Sequence, residues 1–210
     1  MLRKIESSIW QFCSIIQDKL FRRGCDFGKW VMQDEMNFDK VHGNQYQPST
    51  TTNLKRVLKR MNITSDDAII DIGCGKGRAM YVMSRFPFGK ICGYDLSSDL
   101  VSIAEENFRK LEISERCHVQ QADAELFEGY DEFNYFYFFN SVPREVFIKM
   151  IGHVQESIER KPRKVVFIYM HPEQEDYLLA NTDMKKMDHE GSFVTPLVDW
   201  FDLACYTNEL

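Results

Sequence analysis

The chain has 210 residues, enough for one domain with a sizeable buried core. Its 44% hydrophobic and 13% aromatic content excludes a disordered chain. With 26 Lys and Arg against 32 Asp and Glu the net charge is −6, which argues against a protein that tracks nucleic-acid phosphate.

In chain order, Leu2, Ile5, Ile9, Phe12, Ile16 and Leu20 recur at three- and four-residue steps and predict an amphipathic helix that Gly24 ends. Both signs of charge lie on its polar face, so packing over the sheet or its crevice is expected rather than membrane attachment. Residues 25–48 are mixed and polar and read mostly as loop. Residues 1–48 thus form a helical extension and loop, and 49–210 the main domain. Ser49 or Thr50 N-caps a helix running to Met61, with Leu54, Val57, Leu58 and Met61 on one face. Ala68-Ile69-Ile70-Asp71-Ile72 is a short, nearly all-apolar strand of the kind buried on both faces of a parallel sheet. A glycine-rich turn follows at 73–77, then a helix to a stop at Pro87. Further strands are expected at 90–95, 117–120, 133–139, 165–170 and 201–206. Helices are expected at 98–111 and between Pro143 and Pro162, where proline suits the opening turn. The polar segment 171–200 leaves room for one short helix and one strand. Strands alternating with helices predict an α/β, doubly wound Rossmann-like sheet, mostly parallel.

The six cysteines are scattered, with no CxxC and no Cys/His cluster, and read as buried reduced thiols of a cytoplasmic protein. No metal site is expected, because no His/carboxylate pair has ligand spacing. No apolar run approaches the roughly 18 residues of a membrane span. The N-terminal sequence lacks the apolar core and cleavage site of a signal peptide.

Ligands of such sheets bind outside the carboxyl ends of the strands, at the switch point. Gly73-Cys74-Gly75-Lys76-Gly77-Arg78 lies there, between strand and helix. Closely spaced glycines let the backbone turn sharply and a ligand approach without a Cβ in the way. Asp95 ends the next strand twenty residues after Gly75, placed to accept hydrogen bonds from ribose hydroxyls. The pair reads as a nucleoside crevice. A dinucleotide fingerprint would need a third small residue where Arg78 stands, so a nicotinamide cofactor is the weaker alternative.

The spacing G-x-G-x-G, with Asp71 two residues ahead, resembles motif I of class I S-adenosylmethionine-dependent methyltransferases. The resemblance covers roughly residues 45–172. It implies S-adenosyl-L-methionine as cofactor, held by Asp71, Gly73, Cys74, Gly75 and Gly77, by Asp95 with Leu96, and by Ala122, Asp123 and Ala124. In that family the acid of the third-strand motif, here Asp123, takes the adenine amine; an Asx turn is the other reading of Asp123. Asn140, ending the fourth strand, falls in the family's substrate-facing motif and is the candidate catalytic residue, also placed beside the cofactor. The Asn44-Gln45-Tyr46-Gln47-Pro48-Ser49 stretch and the fifth strand resemble a bacterial group distantly similar to the disruptor-of-telomeric-silencing type histone lysine methyltransferases. Tyr46 would close over the cofactor. That group ends its fourth strand in Asn-Pro-Phe, whereas this chain has Asn140-Ser141-Val142.

Methyl transfer from a sulfonium is an in-line displacement, so holding the nucleophile in place supplies most of the catalysis. The amide oxygen of Asn140 would accept N–H bonds from an amine and orient its lone pair, which points to nitrogen as acceptor atom. The expected function is methyl transfer to a nitrogen of a protein side chain or small molecule. The departure at Ser141 and Val142 keeps open a cofactor-binding scaffold whose transfer site has decayed. His171, after the fifth strand, is a weaker candidate base. Lys76 and Arg78 either meet the cofactor carboxylate or simply open the helix.

Overall fold

In the computed structural model the described residues are 16, 18–20, 22–32, 35, 45–49, 51–187 and 202–209. The helix expected over the first twenty-odd residues lies mostly outside them. Ile16 and residues 18–20 are helical, and Gly24, at φ 72°, donates its amide to the Asp18 carbonyl at 2.9 Å, where the helix was expected to end.

The elements follow as α1 (Thr51–Leu58), β1 (Ala68–Ile72), α2 (Arg78–Met83), β2 (Lys90–Asp95), α3 (Ser98–Leu111), β3 (Cys117–Gln121), β4 (Tyr135–Phe139), α4 (Arg144–Arg160), β5 (Val166–Met170), α5 (Glu175–Asn181), β6 (Lys185–Lys186) and β7 (Leu203–Thr207). They build a seven-stranded sheet in the order β3-β2-β1-β4-β5-β7-β6. Strands β1 to β5 run parallel, and β7 lies antiparallel between β5 and β6. Chain order reverses at β1, between β2 and β4, which sets the switch point at the carboxyl ends of those strands.

The strand alternation sorts the core onto two faces. Ile70, Ile72, Phe136, Phe138, Phe167 and Tyr169 pack with Val146, Phe147, Met150 and Val154 of α4. Ile69, Tyr137, Ile168 and Met170 pack on the other face with Leu54, Leu58, Met80, Met83 and Phe108 of α1 to α3. Each such apolar side chain contributes about 1.5–3 kcal/mol on burial. The aromatic run of β4 is therefore core. Phe138 lies 4.3 Å from Tyr169 and Phe136 5.3 Å from Phe167, ring centre to ring centre, contacts worth about 0.5–1.5 kcal/mol beyond burial.

Two helices stop earlier than their patterns predict. In α1 the amides of Arg60 and Met61 bond three residues back, to Val57 and Leu58, a tightening that closes the helix before Met61. In α2 the Ser84 hydroxyl donates to the Tyr81 carbonyl at 2.9 Å, and Pro87 disfavours helical backbone at Phe86. In the polar segment after β5 stand the expected short helix, α5, and a strand of two residues, β6; residues 188–201 lie outside the described set.

Candidate functional site

Cross-links between strand ends build a rigid frame at the switch point. After β1 the chain turns through Gly73, Gly75 and Gly77 with φ of 70°, 52° and 79°. The Gly73 and Cys74 amides both donate to the Tyr94 carbonyl of β2, at 3.0 and 2.9 Å. The Ser141 hydroxyl, just past β4, donates to the Ile72 carbonyl at 2.8 Å. The Ala122 amide, past β3, donates to the Asp95 carbonyl at 3.0 Å. Four strand ends are thus held in fixed relation.

Asp95 is buried, and its carboxylate accepts from Gly75 N–H at 2.8 Å and from Ser97 N–H at 2.9 Å. Burial raises its carboxyl above the ordinary range, and the amide bonds work against that shift. Asp71 is buried too, and its Oδ2 has no hydrogen-bond partner among the described residues. Burial, reinforced by the charge of Asp95, holds the Asp71 carboxyl well above the usual carboxylate range. Two carboxylates therefore flank the glycine turn, one engaged with it and one with an unsatisfied oxygen.

The glycines are filled from the protein side. A Cβ on Gly75 would lie 2.3 Å from Tyr46 Cε2, so the tyrosine ring seats directly on that backbone; its hydroxyl donates to the Phe27 carbonyl at 2.9 Å. A Cβ on Gly73 would meet the Ser141 side chain at 2.4 Å, and one on Gly77 the Phe108 ring at 2.4 Å. Gly77 thus provides the close packing against α3 that a dinucleotide site obtains one position later, while Arg78 is itself buried, its guanidinium pushed down to about 10 by desolvation.

Of the two candidate cations, Lys76 is engaged within the protein. It is 1% exposed, and its ammonium bonds the Asp26 carboxylate at 2.8 Å and the Lys29 carbonyl at 2.9 Å. Burial lowers its pKa, and Asp26 opposes that. Asn107 of α3 completes the clasp: its Nδ2 donates to the Lys76 carbonyl at 3.0 Å, and its Oδ1 accepts from Asp26 N–H at 2.9 Å. The buried Asp18 carboxylate, accepting from the Phe27 and Gly28 amides, folds the same stretch. The described part of the N-terminal extension therefore covers the glycine turn. Lys76→Met, which keeps the aliphatic stem and removes the charge, should loosen this cover. Hydrogen exchange at the Phe27 and Gly28 amides is expected to quicken by about tenfold or more while exchange in the sheet is unchanged.

The remaining candidates follow the carboxyl ends of β1 to β4. Leu96 follows Asp95, its carbonyl accepting from the Gln121 side chain at 3.2 Å, and Ala124 is buried after β3. Asp123 Oδ1 accepts from Glu125 N–H at 2.9 Å, the Asx turn considered as its other reading. Cys74 is buried, its thiol pushed well up by desolvation. Asn140 is half-buried beyond β4, and its Nδ2 donates to Glu173 Oε2 at 2.7 Å. Residues not singled out in the sequence are Asp26 and Asn107, which anchor the cover, and Glu173, which contacts Asn140; Ser141, noted there only as a departure, closes on Gly73. Among the described residues no group of three or more His, Cys, Asp or Glu is placed to hold a metal ion, and no helix is long and apolar enough to cross a membrane.

The methyltransferase-domain family profile matches residues 63–172, the stretch from before β1 to just past β5. The chain is 29% identical over 89 residues to the probable S-adenosylmethionine-dependent methyltransferase CRG1 of Saccharomyces cerevisiae, covering 42% of this chain and 30% of that one. It is 26% identical over 99 residues to phosphoethanolamine N-methyltransferase 1 of Arabidopsis thaliana, covering 47% and 20%. The chain thus matches less than a third of the length of these curated relatives. The fold is that of the glycopeptide N-methyltransferase MtfA, with a TM-score of 0.60 at 11% identity over 76% of this chain and 95% of that one.

Proposed function

Because the chain belongs to the methyltransferase-domain family, we propose that it transfers a methyl group from S-adenosylmethionine to a nitrogen of an acceptor molecule. The carrying observation is the pair of buried carboxylates, Asp71 and Asp95, on either side of the glycine turn. A dinucleotide would bring its anionic pyrophosphate to the glycine turn beside the buried Asp71, and Lys76, the cation within the turn, is committed to Asp26. S-adenosylmethionine instead brings cationic groups, which two nearby carboxylates favour. The unsatisfied Oδ2 of Asp71 suits an ammonium, and Asp95 suits a pair of ribose hydroxyls. Bound there, the cofactor supplies an electrophilic methyl on a sulfonium, and the charge disappears as the methyl leaves.

Within this reading the protein binds and orients. The cross-linked strand ends fix Asp71 and Asp95, while Tyr46 and residues 25–31 exclude water from above the glycine turn. Gly73, Cys74, Gly75, Gly77, Leu96, Ala122, Asp123 and Ala124 make up the remaining wall. Asn140 holds the acceptor nitrogen through its amide oxygen. Nitrogen as acceptor is further supported by the N-methyltransferase among the curated relatives. The narrower likeness to the disruptor-of-telomeric-silencing type finds no support in the relatives described above, and lysine is not singled out. The net charge of −6 weighs against a nucleic-acid acceptor. Action in a reducing cytoplasm belongs to the same reading, from six scattered cysteines without CxxC spacing.

Calorimetry tests the binding half: S-adenosylhomocysteine should bind and NAD should not. Heat from NAD with none from S-adenosylhomocysteine would overturn the reading. Incubation of a lysate with the protein and methyl-labelled cofactor, followed by mass spectrometry, tests the transfer half. Cofactor binding without any labelled product would favour the scaffold reading.

A further inference from the structure

The loop that covers the glycine turn is folded around a side chain of the turn itself. The Lys76 ammonium donates to the Asp26 carboxylate at 2.8 Å and to the Lys29 carbonyl at 2.9 Å, and so ties together both ends of residues 26–29. Between those ends, the Phe27 and Gly28 amides donate to Asp18 Oδ2 at 3.0 and 2.7 Å. One ammonium and one carboxylate thus share the polar groups of a single short loop. Tyr46 belongs to the same unit. Its backbone pairs with Val31, its hydroxyl donates to the Phe27 carbonyl at 2.9 Å, and its ring lies against Gly75 with its centre 5.2 Å from the Lys76 ammonium. A cation at that distance from an aromatic ring is itself attracted to it.

The unit has a fixed side and a side that depends on the turn. On the fixed side, Asn107 of α3 donates to the Lys76 carbonyl at 3.0 Å and accepts from the Asp26 amide at 2.9 Å, so it holds the main chains of loop and turn side by side. On the other, the Gly75 amide, one residue ahead of Lys76, donates to Asp95 Oδ2 at 2.8 Å. A carboxylate oxygen has room for a second hydrogen bond. A ligand hydroxyl on Asp95 therefore binds the acceptor that holds Gly75, and Gly75 both seats Tyr46 and leads into Lys76. Water reaches the fastening through Asp26, whose side chain is 43% exposed against 1% for Lys76. A short loop held by a few such bonds opens locally while the sheet stays folded.

We propose that residues 26–29 and Tyr46 form a strap that Lys76 fastens over the glycine turn when cofactor occupies Asp95, and that opening of this strap sets the rate of cofactor and product release. The proposal rests on the methyl-transfer reading above and adds how the same site is regulated. Coupling of this kind is reciprocal: if a ligand on Asp95 tightens the strap, the fastened strap tightens the ligand by the same factor. S-adenosylhomocysteine left after transfer must depart before new cofactor enters, and opening of a cover is a step that commonly limits turnover.

Hydrogen exchange at the Phe27 and Gly28 amides, followed in the full chain, provides the test. Saturating S-adenosylhomocysteine should slow both by about tenfold, an ordinary coupling between sites, beyond any slowing of the β5 amides, which follow global stability. In Lys76→Met the extra slowing on S-adenosylhomocysteine should shrink to within about twofold. Release of S-adenosylhomocysteine from this variant, measured by stopped-flow displacement, should quicken by about tenfold while its association rate changes by less than about threefold. Asp26→Asn removes the charge from the loop's end of the bond, at a half-exposed position, and should move every readout in the same direction; it carries the test alone if Lys76→Met does not fold. A Lys76 that merely supports the fold predicts faster exchange in the variants but an unchanged ratio between free and bound protein. That ratio, equal in the wild type and the folded variants, overturns the proposal. So does S-adenosylhomocysteine that binds the wild type and leaves exchange at Phe27 and Gly28 as it was. A wild type that binds no S-adenosylhomocysteine overturns the methyl-transfer reading and the strap together, whereas binding without slowing strikes the strap alone.

Discussion

Asn140→Ala is expected to keep S-adenosylhomocysteine affinity within about threefold and to lose about a hundredfold in turnover, the scale on which misplacing a nucleophile by an ångström is felt. Asn140 stands at the carboxyl end of β4, one residue from Ser141, which closes on Gly73. Its side chain reaches toward Glu173 at the end of β5. An effect on rate without one on cofactor affinity is therefore the signature of acceptor positioning. The backbone supplies a control. At φ 38° an alanine is strained where asparagine is tolerated, so Asn140→Gly removes the side chain without that strain. Equal losses of turnover in the two variants assign the effect to the amide. If Asn140 only caps the strand end, both variants keep their rate and Asn140→Ala loses about 1 kcal/mol of stability. A scaffold with a decayed site would show no turnover in the wild type. Turnover would be followed on the acceptor that the lysate experiment identifies.

Much of the architecture is legible in the sequence because its signals are local. The apolar β1, the alternating aromatics of β4 and the three- and four-residue steps of α3 and α4 are fixed by burial on two sheet faces, and the structure sorts those residues as the alternation predicts. Asp95 is legible for the same reason, since strand, turn and spacing set its place. Lys76 is not. A lysine inside a glycine turn looks the same whether it faces a ligand or turns to an aspartate fifty residues earlier, and only the tertiary contact with Asp26 decides. Glu173 is hidden in a different way. It shares a short acidic run with Glu175 and Asp176, and only the placement of Lys186, Tyr206 and Arg144 separates their partners. At the early stop of α2 a serine hydroxyl shares a helix carbonyl a few residues ahead of Pro87, a signal too small to stand out against an apolar pattern running on toward that proline.

Asp95→Ala should weaken cofactor binding by about ten- to a hundredfold or more, because each charge-assisted hydrogen bond to a ribose hydroxyl contributes about 1.5–3 kcal/mol. As a strand-end residue, Asp95 would be expected to matter little for stability. The structure revises that, since the carboxylate is buried and carries the amides of Gly75 and Ser97. Alanine leaves both without an acceptor, at about 1–3 kcal/mol each, and releasing the buried charge offsets only part of it. The thermal midpoint should fall by about 2–4 °C for each kcal/mol that remains. Raised carboxyl pKa values at Asp95 and Asp71 give pH a sign that tests the same assignment. A carboxyl whose folded pKa is raised stabilises the fold most fully below its unfolded value of about 3.9, and that contribution is lost as pH rises through the folded value. Cofactor affinity should run the opposite way, because only the ionised carboxylates accept the ribose and ammonium hydrogens. Across the window above ordinary aspartate titration, raising pH should therefore lower the thermal midpoint of the free protein while tightening S-adenosylhomocysteine. In Asp95→Ala both trends should flatten, leaving the share owed to Asp71. Parallel trends in stability and affinity, or an unchanged dissociation constant in a folded Asp95→Ala protein, would remove Asp95 from the cofactor site.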